Sequence, residues 1–143
     1  MELDAFARLV GMDHGLAVVS TARADGTIQS SVVNAGAMKH PLTDAEIVAF
    51  VAAGSSKRLA NLRSRPHVTV VVRAGWQWAG VEGRVQLIGP DDPVAGVDVR
   101  MLLRDIFKAA GGTHDDWDEY DRVMATERRV AVLIEPTRVY GNN

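Results

Sequence analysis

The chain has 143 residues, of which 47% are hydrophobic and 24% are charged, with a formal net charge of −2. This composition excludes intrinsic disorder and predicts one globular domain over residues 1–143. The near-neutral charge argues against a general nucleic-acid binder, so any anion site must be local. The sequence has no cysteine, which excludes disulfides, thiolate metal ligands and a cysteine nucleophile.

The first segment predicts a short amphipathic helix. Within residues 2–12, the spacing places four apolar side chains on one helical face. These are Leu3, Phe6, Leu9 and Val10. The same segment carries acidic residues and lacks the apolar h-region of a signal peptide. No apolar run approaches the ~20 residues that span a bilayer, so we expect a cytoplasmic protein with no membrane span.

Residues 16–36 predict a β-hairpin, because two β-runs flank Ala24-Asp25-Gly26 and an Asp-Gly pair favours a tight turn. Strand alternation gives residues 27–34 two faces. One face carries Gln29, Ser31 and Val33, and the other carries Ile28, Ser30, Val32 and Asn34. An amide, a hydroxyl and methyl groups on one face suit a flat heteroaromatic ring, and an ordinary exposed strand has the same pattern.

Residues 41–53 allow two interpretations. Thr43 and Glu46 have the spacing of a capping box, which favours the start of a helix. The run 47–51 is short, rich in β-branched residues and followed by Gly54, which favours a buried strand. We predict the strand.

A short helix is expected after this strand. Ser55 or Ser56 can cap its start. Leu59 and Leu62 share one face of it. Pro66 prevents its continuation and disfavours helical geometry just before it. The local order is therefore strand, helix, strand.

Polar residues cluster at the start of that helix. Ser55, Ser56 and the first helical amides can donate to an anion, which the helix dipole also attracts. Lys57 and Arg58 lie beside them, and Asn61 is one turn further on. Basic residues in a first turn oppose the dipole, and a bound anion would reverse that cost. The alternative is a solvated, charged helix surface.

The rest of the chain completes a mainly β pattern. We predict strands over 67–73 and 78–88, a loop over 89–93, helical segments over 94–127 broken at Gly111-Gly112, and a final strand interrupted by Pro136. Gly80 and Gly83 suggest a bulge in the second of these strands or a close approach by another group. About six strands joined mostly by short turns favour a closed antiparallel β-barrel with peripheral helices.

Other candidate sites are weaker. Trp76 and Trp78 are stacking walls or dimer anchors if they are functional, and packing residues otherwise. The four histidines have no metal-ligand spacing. No GxSxG, GxGxxG or GxxxxGK[ST] motif is present. With no catalytic side chain and no metal set, the chemistry would come from a cofactor.

The segments STARADGTIQSSVVNAG and SSKRLANLRSRPHVTVVV resemble the pyridoxamine-phosphate-oxidase-like split-barrel superfamily, and most closely its actinobacterial proteins that use the deazaflavin coenzyme F420. The most specific part is S-x-K-x-x-N-L-R-x-x-P over Ser55–Pro66. The resemblance implies a homodimeric, FMN-binding type of split β-barrel with cofactor clefts at the dimer interface.

The resemblance also implies the cofactor-binding residues. Those for the phosphate are Ser55, Ser56, Lys57, Arg58 and Asn61. Those lining the ring are Gln29, Ser31, Val33 and Asn34, with Trp78 and Ala79 bordering it from the second protomer. Arg63, Arg65 and Lys39 either contact the acidic tail of coenzyme F420 or are ordinary surface residues.

The implied activity is hydride transfer from reduced coenzyme F420 to a conjugated small molecule such as a quinone, an enone or a tetrapyrrole. No catalytic acid or base is expected, because a proton can come from solvent. Two alternatives remain open: an FMN-dependent oxidase or reductase, and a non-catalytic coenzyme carrier. A haem-binding relative is less favoured, since no histidine stands out as an axial ligand.

Overall fold

The computed structural model describes residues 2–142. The elements are α1 Leu3–Met12, β1 Leu16–Ala22, β2 Ile28–Lys39, β3 Glu46–Ala52, α2 Lys57–Ser64, β4 His67–Ala74, β5 Gln77–Ile88, α3 Val99–Ala109, α4 Trp117–Thr126 and β6 Val130–Gly141. The strands form a closed barrel in the order β1-β2-β3-β6-β5-β4, with every neighbouring pair antiparallel. The predicted mainly β barrel with peripheral helices is confirmed.

The predicted hairpin is also confirmed, and its turn is held by the aspartate. Asp25 Oδ1 accepts from the backbone N–H of Thr27 at 3.0 Å and from its hydroxyl at 2.6 Å. Gly26 has φ +87°, a conformation that a residue without a Cβ adopts at no steric cost. The strands pair from Ala22 opposite Ile28 onwards.

Residues 46–52 are a strand, so the helical alternative is wrong. The reason is that β3 is buried on both faces. Val48 and Phe50 point into the barrel core, whereas Ile47 and Ala49 pack with α3. A strand covered on both faces reads as a continuous apolar run instead of an alternating one.

Two expectations in the second half need correction. Helix α3 begins only at Val99, where Asp98 caps it by accepting from the N–H of Met101 at 3.3 Å. Pro136 does not interrupt β6. It lies opposite Gly83, where the register shifts, so its missing N–H falls at an irregularity of the ladder. The extra residue of this irregularity is Thr137 on β6, so the bulge lies on the strand opposite the predicted one. The alternative, a close approach at Gly83, is observed, because a Cβ there would clash with the backbone oxygen of Glu135.

Two hydrophobic clusters position the outer elements. One fills the barrel and includes the buried face of α1, and the other lies between the outer side of β3 and β6 and the helices α3 and α4. Helix α3 approaches β2 closely at Gly36, where a Cβ would lie 2.4 Å from the backbone of Ala109. None of the helices in residues 2–142 is long and apolar enough to cross a membrane.

Candidate cofactor-binding site

A cleft of about 590 Å³ opens between β2, the start of α2 and the helices α3 and α4. This volume is in the range of small-molecule and cofactor sites, about 300–1,000 Å³. Its polar end is lined by Ser56, Arg58 and Arg129, and its apolar wall includes Phe107 and Met124. The cleft is therefore amphipathic, with its positive charge at one end.

Arg58 is the most distinctive residue of the cleft. It is half-buried, and its Nε donates to Ser31 Oγ at 3.1 Å. Among residues 2–142 it makes no ion pair with a carboxylate. Burial first, and repulsion from Arg129 second, lower the pKa of Arg58 below its usual value. An anion at this end of the cleft would offset both the partial desolvation and the repulsion from Arg129.

Asn61 fixes α2 to the hairpin. Its Nδ2 donates to Thr21 Oγ1 at 3.1 Å and to Gln29 Oε1 at 3.0 Å, and its Oδ1 accepts from Arg65 at 3.4 Å. Arg65 Nε in turn donates to Ala22 O at 2.8 Å. The amide of Asn61 is thus occupied within the protein. Contact between Asn61 and the phosphate stays a prediction, and in the structure Asn61 joins α2 to the hairpin through Thr21 and Gln29.

The serines and Lys57 stand at the helix start as expected. Ser56 is the N-cap of α2, and its Oγ accepts from the N–H of Leu59 at 3.4 Å. Ser55 and Lys57 are exposed at the same end. Helix α2 has no acidic residue in its first turn, so its positive end is not neutralised locally.

The β2 residues that the resemblance assigns to the ring divide between the two faces of the strand. Val33 is buried at the base of the cleft, with Ser31 on the same side of the strand and bound to Arg58. Asn34 lies on the opposite face of the strand, and its Nδ2 donates to His14 O at 3.0 Å. The strand therefore presents an apolar floor and a polar margin to the cleft.

Trp78 and Ala79 have different environments. Ala79 is completely buried in the barrel's own core, and its place beside a ring bound by a second protomer stays a prediction. Trp78 is partly exposed and contacts Tyr140 edge-on, with ring centroids 6.0 Å apart. It belongs to an apolar sheet face, which we define as Leu16, Val18, Val32, Trp76 and Trp78.

Sequence reasoning missed the contributions of Arg129 and of the helices α3 and α4 to the cleft. Arg129 follows α4 and precedes β6, far along the chain from the polar cluster of α2. Phe107 and Met124 read as ordinary helix-packing residues in the sequence. Barrel closure, which pairs β6 with β3, brings Arg129 to the end of β3, beside the start of α2.

The six antiparallel strands close into a barrel with an amphipathic cleft beside it. The family model described as pyridoxamine 5'-phosphate oxidase matches residues 3–143, and the chain belongs to that family.

Solved structures share this fold at low sequence identity. A conserved hypothetical protein of Mycobacterium tuberculosis has a TM-score of 0.70 and 17% identity, over 99% of this chain and 84% of that one. An F420 reductase has a TM-score of 0.61 and 16% identity, over 87% and 88%. A pyridoxamine 5'-phosphate oxidase-related, FMN-binding protein of Nostoc punctiforme has a TM-score of 0.62 and 13% identity, over 96% and 80%.

Proposed function

We propose that this protein is an oxidoreductase that holds coenzyme F420 in the cleft and reduces an unsaturated small molecule of the quinone, enone or tetrapyrrole class. The observation that carries the proposal is Arg58, a half-buried cation without a carboxylate partner among the described residues, at the polar end of a cleft of cofactor size. The family and the F420 reductase among its structural neighbours support the same class.

The cleft fits a ring-and-phosphate cofactor in chemistry as well as in size. A phosphate at the polar end would receive hydrogen bonds from Arg58, from Lys57 and from the serines at the start of α2. A tricyclic ring would lie over Val33 beside the aromatic edge of Phe107. Gln29, Ser31 and Asn61 would act by holding α2 and Arg58 in place.

When bound, the reduced cofactor would supply a hydride to the acceptor. The hydride carries two electrons and one proton, and a proton from solvent would complete the two-electron, two-proton reduction. The chain's own contribution is to bind and orient, with no catalytic acid or base. The apolar wall of α3 and α4 would exclude water from the ring's neighbourhood.

We further propose that a second copy of the chain covers the apolar sheet face and completes the cleft. The face exposes five large apolar side chains, more than scattered surface residues require. Val32 lines both this face and the cleft. The second copy's Trp78 would then lie near the ring, whereas Ala79 stays in the barrel core.

Most of the cationic residues considered for the acidic tail of coenzyme F420 already have partners within the protein. Arg63 pairs with Asp92 at 2.8 Å, and Lys39 lies 3.6 Å from Asp44 and 3.7 Å from Glu46. Arg65 supports the hairpin through Ala22. Because the charges of Arg63 and Lys39 are already compensated, these two residues would contribute little to binding the tail.

FMN is the second candidate cofactor. Its phosphate monoester carries nearly two negative charges, which suits a polar end with two arginines, and an FMN-binding protein is among the structural neighbours. An FMN enzyme would use the same residues. The two cofactors differ in what lies beyond the phosphate.

The test is a pair of titrations on the purified protein. Coenzyme F420 fluorescence and FMN fluorescence are followed in parallel, with Lys57→Ala and Arg58→Gln beside the wild type. We expect saturable binding of coenzyme F420 that both variants weaken, and turnover with a panel of quinones, enones and tetrapyrroles. Tighter FMN binding and a yellow protein would favour the second candidate. Binding without any turnover would identify a carrier, and no binding of either cofactor would refute the proposal.

A further inference from the structure

We propose that Arg129 is a cofactor-binding residue that forms a two-arginine clamp with Arg58 around the phosphate. The inference rests on the proposed function and adds a residue from outside the motif of α2. Arg129 lines the same cleft as Arg58 and Ser56. Its side chain is 29% exposed, and it comes from the junction of α4 and β6.

The end of α4 directs Arg129 into the cleft. The N–H of Arg128 donates to Ala125 O at 3.1 Å, and that of Arg129 donates to Met124 O at 2.9 Å. Arg128 has φ +49°, a left-handed conformation that turns the chain out of the helix. The two adjacent arginines consequently differ: Arg128 pairs with Asp91 on the surface, while Arg129 faces the cleft.

A close backbone contact fixes Arg129 relative to the start of α2. The N–H of Gly54 donates to Glu127 O at 3.2 Å. A Cβ at Gly54 would lie 2.7 Å from Arg128 O, so only glycine permits this approach. The loop that carries Ser56 is thereby packed directly on the residues that precede Arg129.

Both guanidinium groups are held by Nε alone. Arg129 Nε donates to Glu127 Oε1 at 2.8 Å, and Arg58 Nε donates to Ser31 Oγ at 3.1 Å. Within the part of the chain that is described, the terminal amino groups of both residues have no hydrogen-bond partner. Each guanidinium is therefore oriented by the protein and keeps the paired donors that match phosphate oxygens.

The charges at the polar end of the cleft favour an anion bound by both arginines. Glu127 offsets one charge, which leaves Lys57, Arg58 and Arg129 with a net local charge of about +2. Repulsion by Arg129 contributes to the lowered pKa of Arg58, after the effect of burial. A phosphate between two arginines would replace that repulsion with two attractions.

The experiment compares cofactors with and without phosphate. FMN is titrated against riboflavin, and coenzyme F420 against its deazaflavin chromophore lacking the phosphate, for the wild type, Arg129→Gln and Arg129→Lys. Arg128→Gln is the matched control, because it removes a neighbouring arginine that faces away. Thermal melting of each variant verifies folding.

We expect Arg129→Gln to weaken binding of the phosphate-bearing cofactor about 10- to 100-fold, as for loss of hydrogen bonds to a charged group. Binding of the phosphate-free compound should change less than about threefold, and Arg129→Lys should fall between. An effect on FMN but not on riboflavin would show that the site binds a phosphate monoester. An effect on coenzyme F420 but not on its phosphate-free chromophore would show that it binds a phosphodiester.

Three results would overturn the assignment, and they are distinguishable. If the wild type binds no phosphate-bearing cofactor, the proposed function fails and the clamp fails with it. If the wild type binds one and Arg129→Gln binds it equally well, the clamp alone fails. If Arg129→Gln loses the phosphate-bearing and phosphate-free ligands equally, Arg129 shapes the cleft and does not recognise phosphate.

Discussion

The cleft and the apolar sheet face share strand β2, but they differ in chemistry. The polar end of the cleft is cationic, whereas the sheet face is apolar. The cleft is lined by Arg58 and Arg129. Arg129 pairs with Glu127, and among residues 2–142 Arg58 pairs with no carboxylate. The sheet face instead exposes Val18 at 43% and Trp76 at 92% of their surface. Under the proposed function, an anion would complete the first surface and a second copy of the chain would cover the other. Because Val32 belongs to both, a partner on the sheet face would also form the margin of the cleft.

The largest effect is expected on the sheet face. If two copies join through this face as proposed, Val18→Asp should raise the dimer dissociation constant at least about 100-fold, because it would bury a carboxylate without a partner among apolar side chains. Sedimentation velocity over a concentration series measures it. Val123→Asp is the matched control, since Val123 is 42% exposed on α4. A wild type that is a folded monomer at micromolar concentration would show that this face does not join two copies.

The second-largest effect is expected on cofactor binding, where Arg58 should contribute more than its neighbour Lys57. Arg58→Gln should weaken binding of FMN or coenzyme F420 about 10- to 50-fold, since Arg58 is half-buried and poorly screened. Lys57→Gln should cost about threefold or less, because Lys57 is exposed and its charge is screened by water and salt. Fluorescence titration at two salt concentrations compares them. Equal losses would mean that the phosphate lies outside the cleft, at the exposed helix end.

A smaller effect, on stability, is expected from Asn61, which holds α2 against the hairpin. Asn61→Ala should lower the free energy of unfolding by about 1–1.5 kcal/mol, because it leaves the buried hydroxyl of Thr21 and the amide of Gln29 without their donor. Urea denaturation measures the loss. Ser64→Ala, an exposed change on the same helix, should have almost no effect. Unchanged stability in Asn61→Ala would argue that α2 is held only by Leu59 and Leu62.

The smallest effect is expected on the pH dependence of stability, through the ion pair that joins Arg104 of α3 to Asp121 of α4. Hydrogen bonding to Arg104 holds the pKa of Asp121 below its usual value, with Arg104 Nε 2.9 Å from Asp121 Oδ1. The stabilisation is therefore present above the carboxyl's unfolded pKa and is lost as the pH falls through its lowered folded value, below about pH 4. Asp121→Asn should flatten the acid side of the stability profile, measured by urea denaturation at several pH values. Asp115→Asn should leave that slope intact, and an unaltered slope in Asp121→Asn would contradict the assignment.

The sequence predicted the elements that depend on local chemistry. The Asp25-Gly26 turn, the cap at Ser56 and the stop at Pro66 each follow from residues next to one another, and all are observed. The strand at 46–52 could be chosen over a helix because its apolar run matched burial on two faces. Pro136 was misread, since its tolerance depends on Gly83 across the ladder, which no local pattern reports.

In the candidate site, too, some features follow from neighbouring residues and others from contacts across the fold. The sequence by itself determined that Ser55, Ser56, Lys57 and Arg58 share one helix start, because helix geometry acts over a few residues. Only the tertiary structure decided that Asn61 is committed to Thr21 and Gln29, that Ala79 is buried, and that Arg129 lies beside Arg58. Barrel closure sets these relations, since it brings together strands far apart in the chain, and the environment of a side chain is fixed only when those strands meet.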